Sequence, residues 1–216
     1  MIDRVMIVVA AGSSVRFGGD KLLAMVAGRP LVAHTVAAVI EHVDHCVLVC
    51  RQDQMASLDG LGAELVPGGP TRTASEMAGL SALGGQAGLI GIHDGARPLV
   101  QGSLIETLFR VADRVGGAIP ILEPEMPLIH KSDLSPAASA VVAQTPQVFR
   151  GEELLAAYTA ATRVEYQAQD TAEVVQKFGR LVIEGVPGDP ANIKVTEPAD
   201  IEVVRAALEP SRNEPR

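Results

Sequence analysis

The sequence predicts an α/β protein, a doubly wound and mostly parallel sheet with helices on both faces. Three observations lead there. Short apolar runs rich in Val, Ile and Leu alternate with stretches in which apolar residues recur at helical spacing. Aromatics make up only 3% of 216 residues while apolar residues make up 47%, so the core is aliphatic, as parallel strands covered by helices require. The first run, Val5-Met6-Ile7-Val8-Val9, passes directly into Ala10-Ala11-Gly12 and a loop rich in small residues, the pattern of a strand-to-helix turn at a ligand site.

Taken in order, Val5 to Val9 is a strand buried on both faces. Gly28-Arg29-Pro30 makes a turn, and Leu31, Val32, Val36, Ala37, Val39 and Ile40 mark a helix. Cys46 to Cys50 and Glu64 to Pro67 are the next strands, the latter ending in the turn Gly68-Gly69-Pro70. Thr71 to Leu83 is a helix, Leu89 to Ile92 a strand, and Ser103-x-x-Glu106 a capping box opening a helix to Val115. Ala118 to Leu122 is a strand. Residues 123–140 carry Pro124, Pro127 and Pro136 with no clear period, too long a stretch for a routine connection. Beyond Val141 to Ala143 come a helix from Glu152 to Ala161, a second capped by Asp170-x-x-Glu173, a strand at Leu181 to Ile183, an extended piece at Asn192 to Thr196 and a helix from Asp200 to Leu208. One domain over 1–209 is expected, with 123–142 as an arm for dimerisation or acceptor binding and 210–216 as a frayed tail.

The formal charge of −8, with no basic stripe, argues against nucleic acid. It also means that an anionic ligand must be met by cations concentrated locally. Cys46 and Cys50 lie on one face of their strand about 13 Å apart, beyond the roughly 7 Å that a disulfide spans. Both are therefore expected as buried thiols in a reducing compartment, the cytoplasm. Met1 to Arg4 does not read as a signal peptide, and no apolar run reaches the roughly 20 residues of a membrane span.

Ligands in such sheets bind outside the carboxyl ends of the strands. There the first strand delivers Ala10 to Lys21, the third Gly68-Gly69 with Arg72 and Ser75, the fourth Asp94 and Arg97, and the late extended piece Lys194. Arg16 and Lys21 are spaced to reach a polyphosphate from different sides, the guanidinium gripping two oxygens and the ammonium acting as a point charge. The loop matches neither G-x-G-x-x-G nor G-x-x-x-x-G-K-[ST]. Plainer readings stand beside these: an ordinary βα turn, Asp94 and Arg97 pairing across their own turn, Ser75 decorating a helix, Lys194 as the outward residue of a strand. His93 reads as a packed, hydrogen-bonding residue rather than a base.

Together Ala10-Ala11-Gly-x-x-x-Arg16, Gly68-Gly-x-x-Arg72-x-x-Ser75, His93-Asp-Gly-Ala-Arg-Pro98, Thr145-Pro-Gln147 and Asn192-Ile-Lys-Val-Thr196 resemble, in order, the 2-C-methyl-D-erythritol 4-phosphate cytidylyltransferase family of the non-mevalonate isoprenoid pathway. The resemblance implies a Rossmann-like fold of the nucleotide-diphospho-sugar transferase type, working as a homodimer with Mg²⁺. It implies transfer of CMP from CTP to a sugar-alcohol phosphate, 2-C-methyl-D-erythritol 4-phosphate, with release of pyrophosphate. By the same resemblance Ala10, Ala11, Gly12, Ser14, Gly69, Ser75 and Gly95 bind the nucleotide, and Arg16, Lys21 and Lys194 are catalytic. Asp94, Arg97 and Gln169 face the acceptor, Asp94 also holding the metal.

The chain departs from that pattern on the acceptor side. Asp20 stands where the family has a proline before the loop lysine, Ala137 where it has an arginine, and Gln169 where it has a threonine. The arm has no counterpart of the family's Asp-Thr pair. The spelling of residues 14–21 is also similar to molybdenum-cofactor nucleotidyltransferases. A sister transferase acting on another polyol phosphate, such as ribitol phosphate, or on a molybdopterin is therefore the alternative. A non-catalytic nucleotide-binding protein is disfavoured, because it would not need Arg16, Lys21, Asp94 and Lys194 together.

Overall fold

The computed structural model describes residues 2–12, 17–85, 87–130, 132–137 and 139–209. Ser14, Arg16 and the 210–216 tail, all singled out above, lie outside the described residues. The sheet is built from β1 (Ile2–Val9), β4 (His45–Cys50), β5 (Glu64–Pro67), β6 (Ala87–Asp94), β7 (Gly116–Leu122), β8 (Val142–Ala143), β9 (Gln147–Arg150) and β10 (Val182–Pro187). Its order is β10-β7-β9-β6-β1-β4-β5, with β8 paired to β7. β1 runs parallel to β4 and β6, whereas β9 is antiparallel to β6 and β7. The chain moves outward from β1 through β4 to β5 and then returns to place β6 on the other side. The crevice at which the order reverses therefore opens at the carboxyl ends of β1 and β6.

Alternation along β1 sorts the two cores. Met6 and Val8 face α1 (Leu31–Ile40), α4 (Gly102–Val115) and α7 (Pro198–Leu208). Val5 and Ile7 face α3 (Arg72–Ala82), α5 (Gly151–Arg163) and α6 (Thr171–Phe178). A central strand buried on both faces must be apolar at every position, which is why β1 reads as an unbroken run. Cys46 and Cys50 are buried free thiols in the first of these cores, and burial pushes the Cys46 thiol up to about 12. No helix among the described residues is long and apolar enough to cross a membrane.

Several boundaries differ from the sequence reading. The turn at Gly28 is a hairpin between β2 (Met25–Val26) and β3 (Arg29–Pro30), its two corner residues Ala27 and Gly28 both at positive φ. A short helix, α2 (Met55–Leu58), follows β4 after a 3-10 turn. Helix α4 is capped by Gln101 without a side-chain bond, so Ser103 and Glu106 form no capping box. Glu106 is instead drawn to Arg4 at 2.7 Å and His42 at 3.1 Å. Asp170 does cap α6, accepting from the Ala172 N–H at 2.8 Å, and Glu173 reaches back to the Gln169 N–H. Asn192 to Thr196 joins no sheet and touches the β6 turn through one backbone bond, Val195 N–H to the Ala96 carbonyl. The arm closes on itself through the Ile129–Pro136 bridge before β8 returns it to the sheet.

Helix α3 lies close against the sheet because Gly79 has no side chain. A Cβ there would meet Ile7 Cγ2 at 2.7 Å and Val49 Cγ2 at 2.9 Å. Gly79→Ala is expected to cost about 1–3 kcal/mol by overpacking, read as a lower urea midpoint with an unchanged slope.

Candidate active site

At the crevice three strands stop at one level. Each ladder extends one residue past its strand: Ala10 N–H to Val49 O at 2.7 Å, Gly68 N–H to Cys50 O at 2.8 Å, Gly95 N–H to Val9 O at 2.9 Å. Two of the loops that leave from there are packed tightly at their glycines. A Cβ on Gly68 would come within 2.3 Å of Ala11 Cβ, and one on Gly95 within 3.1 Å of Ala10 Cβ. Gly68, Gly69 and Gly95 thus contribute backbone to a cleft of about 580 Å³, lined also by Ala11 and Gly12. Ser75 is buried beneath it, donating to the Thr71 carbonyl at 2.9 Å while accepting from the Gly69 N–H at 3.2 Å, and so holds the Gly-Gly turn on α3. Ala10, expected on the nucleotide, has its methyl in the core instead, since alternation turns it inward.

One wall of the cleft is charged. Asp94 ends β6 nearly out of reach of solvent, 5% exposed. Its Oδ1 lies 2.5 Å from Arg72 NH1, and its Oδ2 lies 2.9 Å from Lys194 Nζ and 3.5 Å from Arg97 Nε. Burial alone would push this carboxyl up. Arg72 and Lys194 overcome it and hold the group well below the usual carboxylate range, so it is ionised. Arg97 stands behind Asp94 rather than on the cleft wall, donating from NH1 to the Asn192 carbonyl at 2.6 Å. Lys21 does line the cleft, its Nζ donating to the Val195 carbonyl at 2.9 Å, one residue from Lys194.

The residues lining the cleft carry four cations, Lys21, Arg51, Arg72 and Lys194, and one carboxylate, Asp94. An acidic chain thus presents a positive hollow, as a polyphosphate ligand demands. The larger hollow, about 900 Å³ around Asp3, Arg4, Arg110 and Glu153 at the amino ends of β1 and β6, mixes both signs and has no such wall. No group of three potential metal ligands occurs among the described residues. One carboxylate beside a cationic wall suits a Mg²⁺ held mainly by phosphate oxygens and water, and does not suit a metal caged by protein.

Asp20, the departure before Lys21, has a structural reason. It accepts a short hydrogen bond from Gln54 Nε2 and pairs with Arg51 at 3.1 Å, pinning the end of the loop to the turn after β4. The motif Thr145-Pro-Gln147 is architectural. The Thr145 hydroxyl accepts from the Asp94 N–H and donates to His93 Nδ1, both at 3.0 Å, and the His93 Nε2–H donates to the Arg97 carbonyl at 3.1 Å. That assigns the Nε2-protonated tautomer. Gln147 bonds Asp170 and the Ala172 N–H and so seats α6. Gln169 is exposed beside it and does not line the cleft.

A family model described as IspD, 2-C-methyl-D-erythritol 4-phosphate cytidylyltransferase, matches residues 4–210. The chain belongs to that family. The enzyme of that name from Cereibacter sphaeroides is 38% identical over 212 residues, 90% of this chain and 92% of its own length. The structure of the Thermus thermophilus enzyme superposes with a TM-score of 0.80 at 29% identity, covering 96% of this chain and 98% of that one. The "bifunctional enzyme IspD/IspF" of Bartonella bacilliformis is 32% identical over 222 residues, and there the chain spans 94% of itself but only 56% of the relative. This is a family of nucleotidyltransferase enzymes, and its match runs across every strand and loop that builds the cleft.

The sequence reading brought Arg72 to the rim but assigned it no role, although Arg72 and Glu76 stand at the i, i+4 spacing of a helix pair. Arg51 and Gln54 gave no signal, because their partner Asp20 lies more than thirty residues away. Burial holds His93 down at about 4, below its ordinary value, so it is neutral at pH 7. Because the folded state binds that proton less readily than the unfolded chain, its contribution to stability is complete above about pH 6.5 and is lost as pH falls toward 4. Urea titrations between those values are expected to show a steeper loss for the parent chain than for His93→Gln.

Proposed function

We propose that the chain transfers CMP from CTP to 2-C-methyl-D-erythritol 4-phosphate. The observation that carries this reading is the buried Asp94, held by three cations at the wall of a cleft whose floor is backbone, in a chain of this family. The cytosine and ribose lie against Gly68-Gly69 and Ser75, where two glycines without room for a Cβ leave backbone to face a flat group. The triphosphate lies along Ala11, Gly12 and Lys21, with Arg16 and Ser14 assigned to it from the motif. A phosphate oxygen of the acceptor attacks the α-phosphorus in line, and the bond to the bridging oxygen breaks as pyrophosphate leaves with its electron pair. An ionised phosphate needs no base, which agrees with a neutral, fully hydrogen-bonded His93.

Catalysis then comes from positioning and charge neutralisation. Lys194 is the most exposed of the three cations on Asp94, 38% against 24% for Arg72 and 11% for Arg97. It is the one able to exchange the carboxylate for a phosphate oxygen. Mg²⁺, bound through Asp94 and the nucleotide, would supply further neutralisation of phosphate charge. Reaction in the cytoplasm is supported by the two unpaired buried cysteines. Homodimer formation through the arm is supported by the apolar side chains it leaves exposed, among them Met126, Ile129 and Leu134.

A second reading, a sister transferase with another polyol phosphate or a molybdopterin acceptor, rests on Ala137 and Gln169 in place of an arginine and a threonine. Pyrophosphate release separates the two. Turnover with CTP and 2-C-methyl-D-erythritol 4-phosphate is expected; turnover with ribitol phosphate alone supports the second reading, and none with any acceptor removes both. Lys21→Ala is expected to lower kcat by about 10²–10³-fold in a folded protein. Light scattering at micromolar concentration should give twice the chain mass, falling to one chain mass when Met126 and Ile129 are both replaced by Asp.

A further inference from the structure

A second carboxylate lies behind the charged wall, and the chemistry described so far does not use it. Glu76, on the second turn of α3, is fully buried at a position whose neighbours are core residues. An ionised group there is costly unless every oxygen is met. Here each is met. Oε2 accepts from the Tyr158 hydroxyl of α5 at 2.7 Å, and Oε1 accepts from the Thr171 hydroxyl of α6 at 2.9 Å. Arg72 Nε lies 3.0 Å from the same Oε1. Tyr158 and Thr171 are themselves fully buried, so the group has no route to solvent through them. The guanidinium of Arg72 consequently lies between two carboxylates, hydrogen-bonded to Asp94 through NH1 and at ion-pair distance from Glu76 through an Nε–H that finds no hydrogen-bond partner among the described residues.

We propose that Glu76 is a positioning residue for transfer, dividing the charge of Arg72 so that Asp94 keeps Lys194 as an exchangeable partner. An apolar side chain at position 76 would fill the same space at less cost, so packing does not account for the carboxylate. Burial pushes the Glu76 carboxyl up while Arg72 and the two hydroxyls draw it back down, and to the extent that Glu76 is ionised Arg72 gives only part of its field to Asp94. Without Glu76 its whole charge falls on Asp94, and Lys194 and Arg97 compete for what remains. Thr171 extends the tie to the first residue of α6, next to Asp170 and Gln169 on the side assigned to the acceptor. The acceptor half of the site and the helix carrying the Gly-Gly turn are thereby joined through one buried carboxylate.

This inference rests on the proposed transferase reading, and the test separates the two. Glu76→Gln keeps the size of the side chain and an oxygen for Tyr158 or Thr171 but removes the charge. Pyrophosphate release under saturating CTP is expected to show kcat down about tenfold, the loss typical of one bond to a charged group, with a raised KM for the acceptor phosphate. The KM for CTP should stay within roughly twofold. A purely structural role would lower the melting temperature or the active fraction without moving the acceptor KM. Thr171→Val, which touches neither substrate, should shift the acceptor KM in the same direction by less, and add nothing to Glu76→Gln in the double variant. Parental kcat and acceptor KM in Glu76→Gln, or in Thr171→Val if the first variant does not fold, would overturn the role of Glu76. A parent chain inactive toward every acceptor would instead overturn the transferase reading.

Discussion

A carboxylate with almost no access to water stays ionised only if cations stand at its side, and Asp94 is the group for which the rest of this site is arranged. Its three partners come from α3, from the turn after β6 and from the irregular segment before α7. Segments as far apart in sequence as Arg72 and Lys194 converge on one side chain. Taking the acid away would leave three positive groups facing one another in a partly buried pocket, where removing one member of an ion pair costs far more than the pair contributes. The second layer is bound by the same necessity. Thr145 fixes the Asp94 N–H, Asn192 holds the Thr145 carbonyl at 2.9 Å, and Arg97 returns to the Asn192 carbonyl.

The other half of the cleft is governed by steric exclusion. Three parallel strands end at one level, and their loops approach until Gly68 and Gly69 admit no Cβ and Gly95 only under strain, so the floor there is formed of N–H groups and carbonyls. A floor of this kind is suited to selection by shape, and cations at its rim to selection by charge. In a chain of net charge −8 these four cations constitute a local field of the opposite sign, an arrangement that favours a polyanion at this one place. The pairing of Asp20 with Arg51 and Gln54 offsets one of those four cations and holds the acid that precedes the loop lysine against the neighbouring turn.

Much of the fold was legible because its signals are local. Val5 to Val9 could be read as a central strand because burial on both faces forbids any polar residue. Leu31–Ile40 and Glu64–Pro67 came out at the boundaries expected, helix α3 began one residue after its Thr71 cap, and Gly68-Gly69 marked a turn that tolerates nothing larger. The readings that failed had a competitor elsewhere in the chain. Ser103 and Glu106 fit a capping box by spacing, but Glu106 found Arg4 and His42 on other elements. Asn192 to Thr196 alternates like a strand, yet the carbonyls of Asn192 and Val195 are taken by the side chains of Arg97, Gln144 and Lys21.

What the sequence determined by itself was the class of fold, the end of the sheet at which the cleft opens, and the kinds of groups that line it. Each follows from short-range rules, in which periodicity sets the elements, small residues mark close approaches and cations accumulate on particular loops. Only the tertiary structure decided which of those groups act together. The bridge from Asp94 through Arg72 to Glu76, Tyr158 and Thr171 joins residues up to 95 positions apart. A buried charge acquires its partners from whatever the packing brings within 3 Å, and no spacing along the chain encodes that distance.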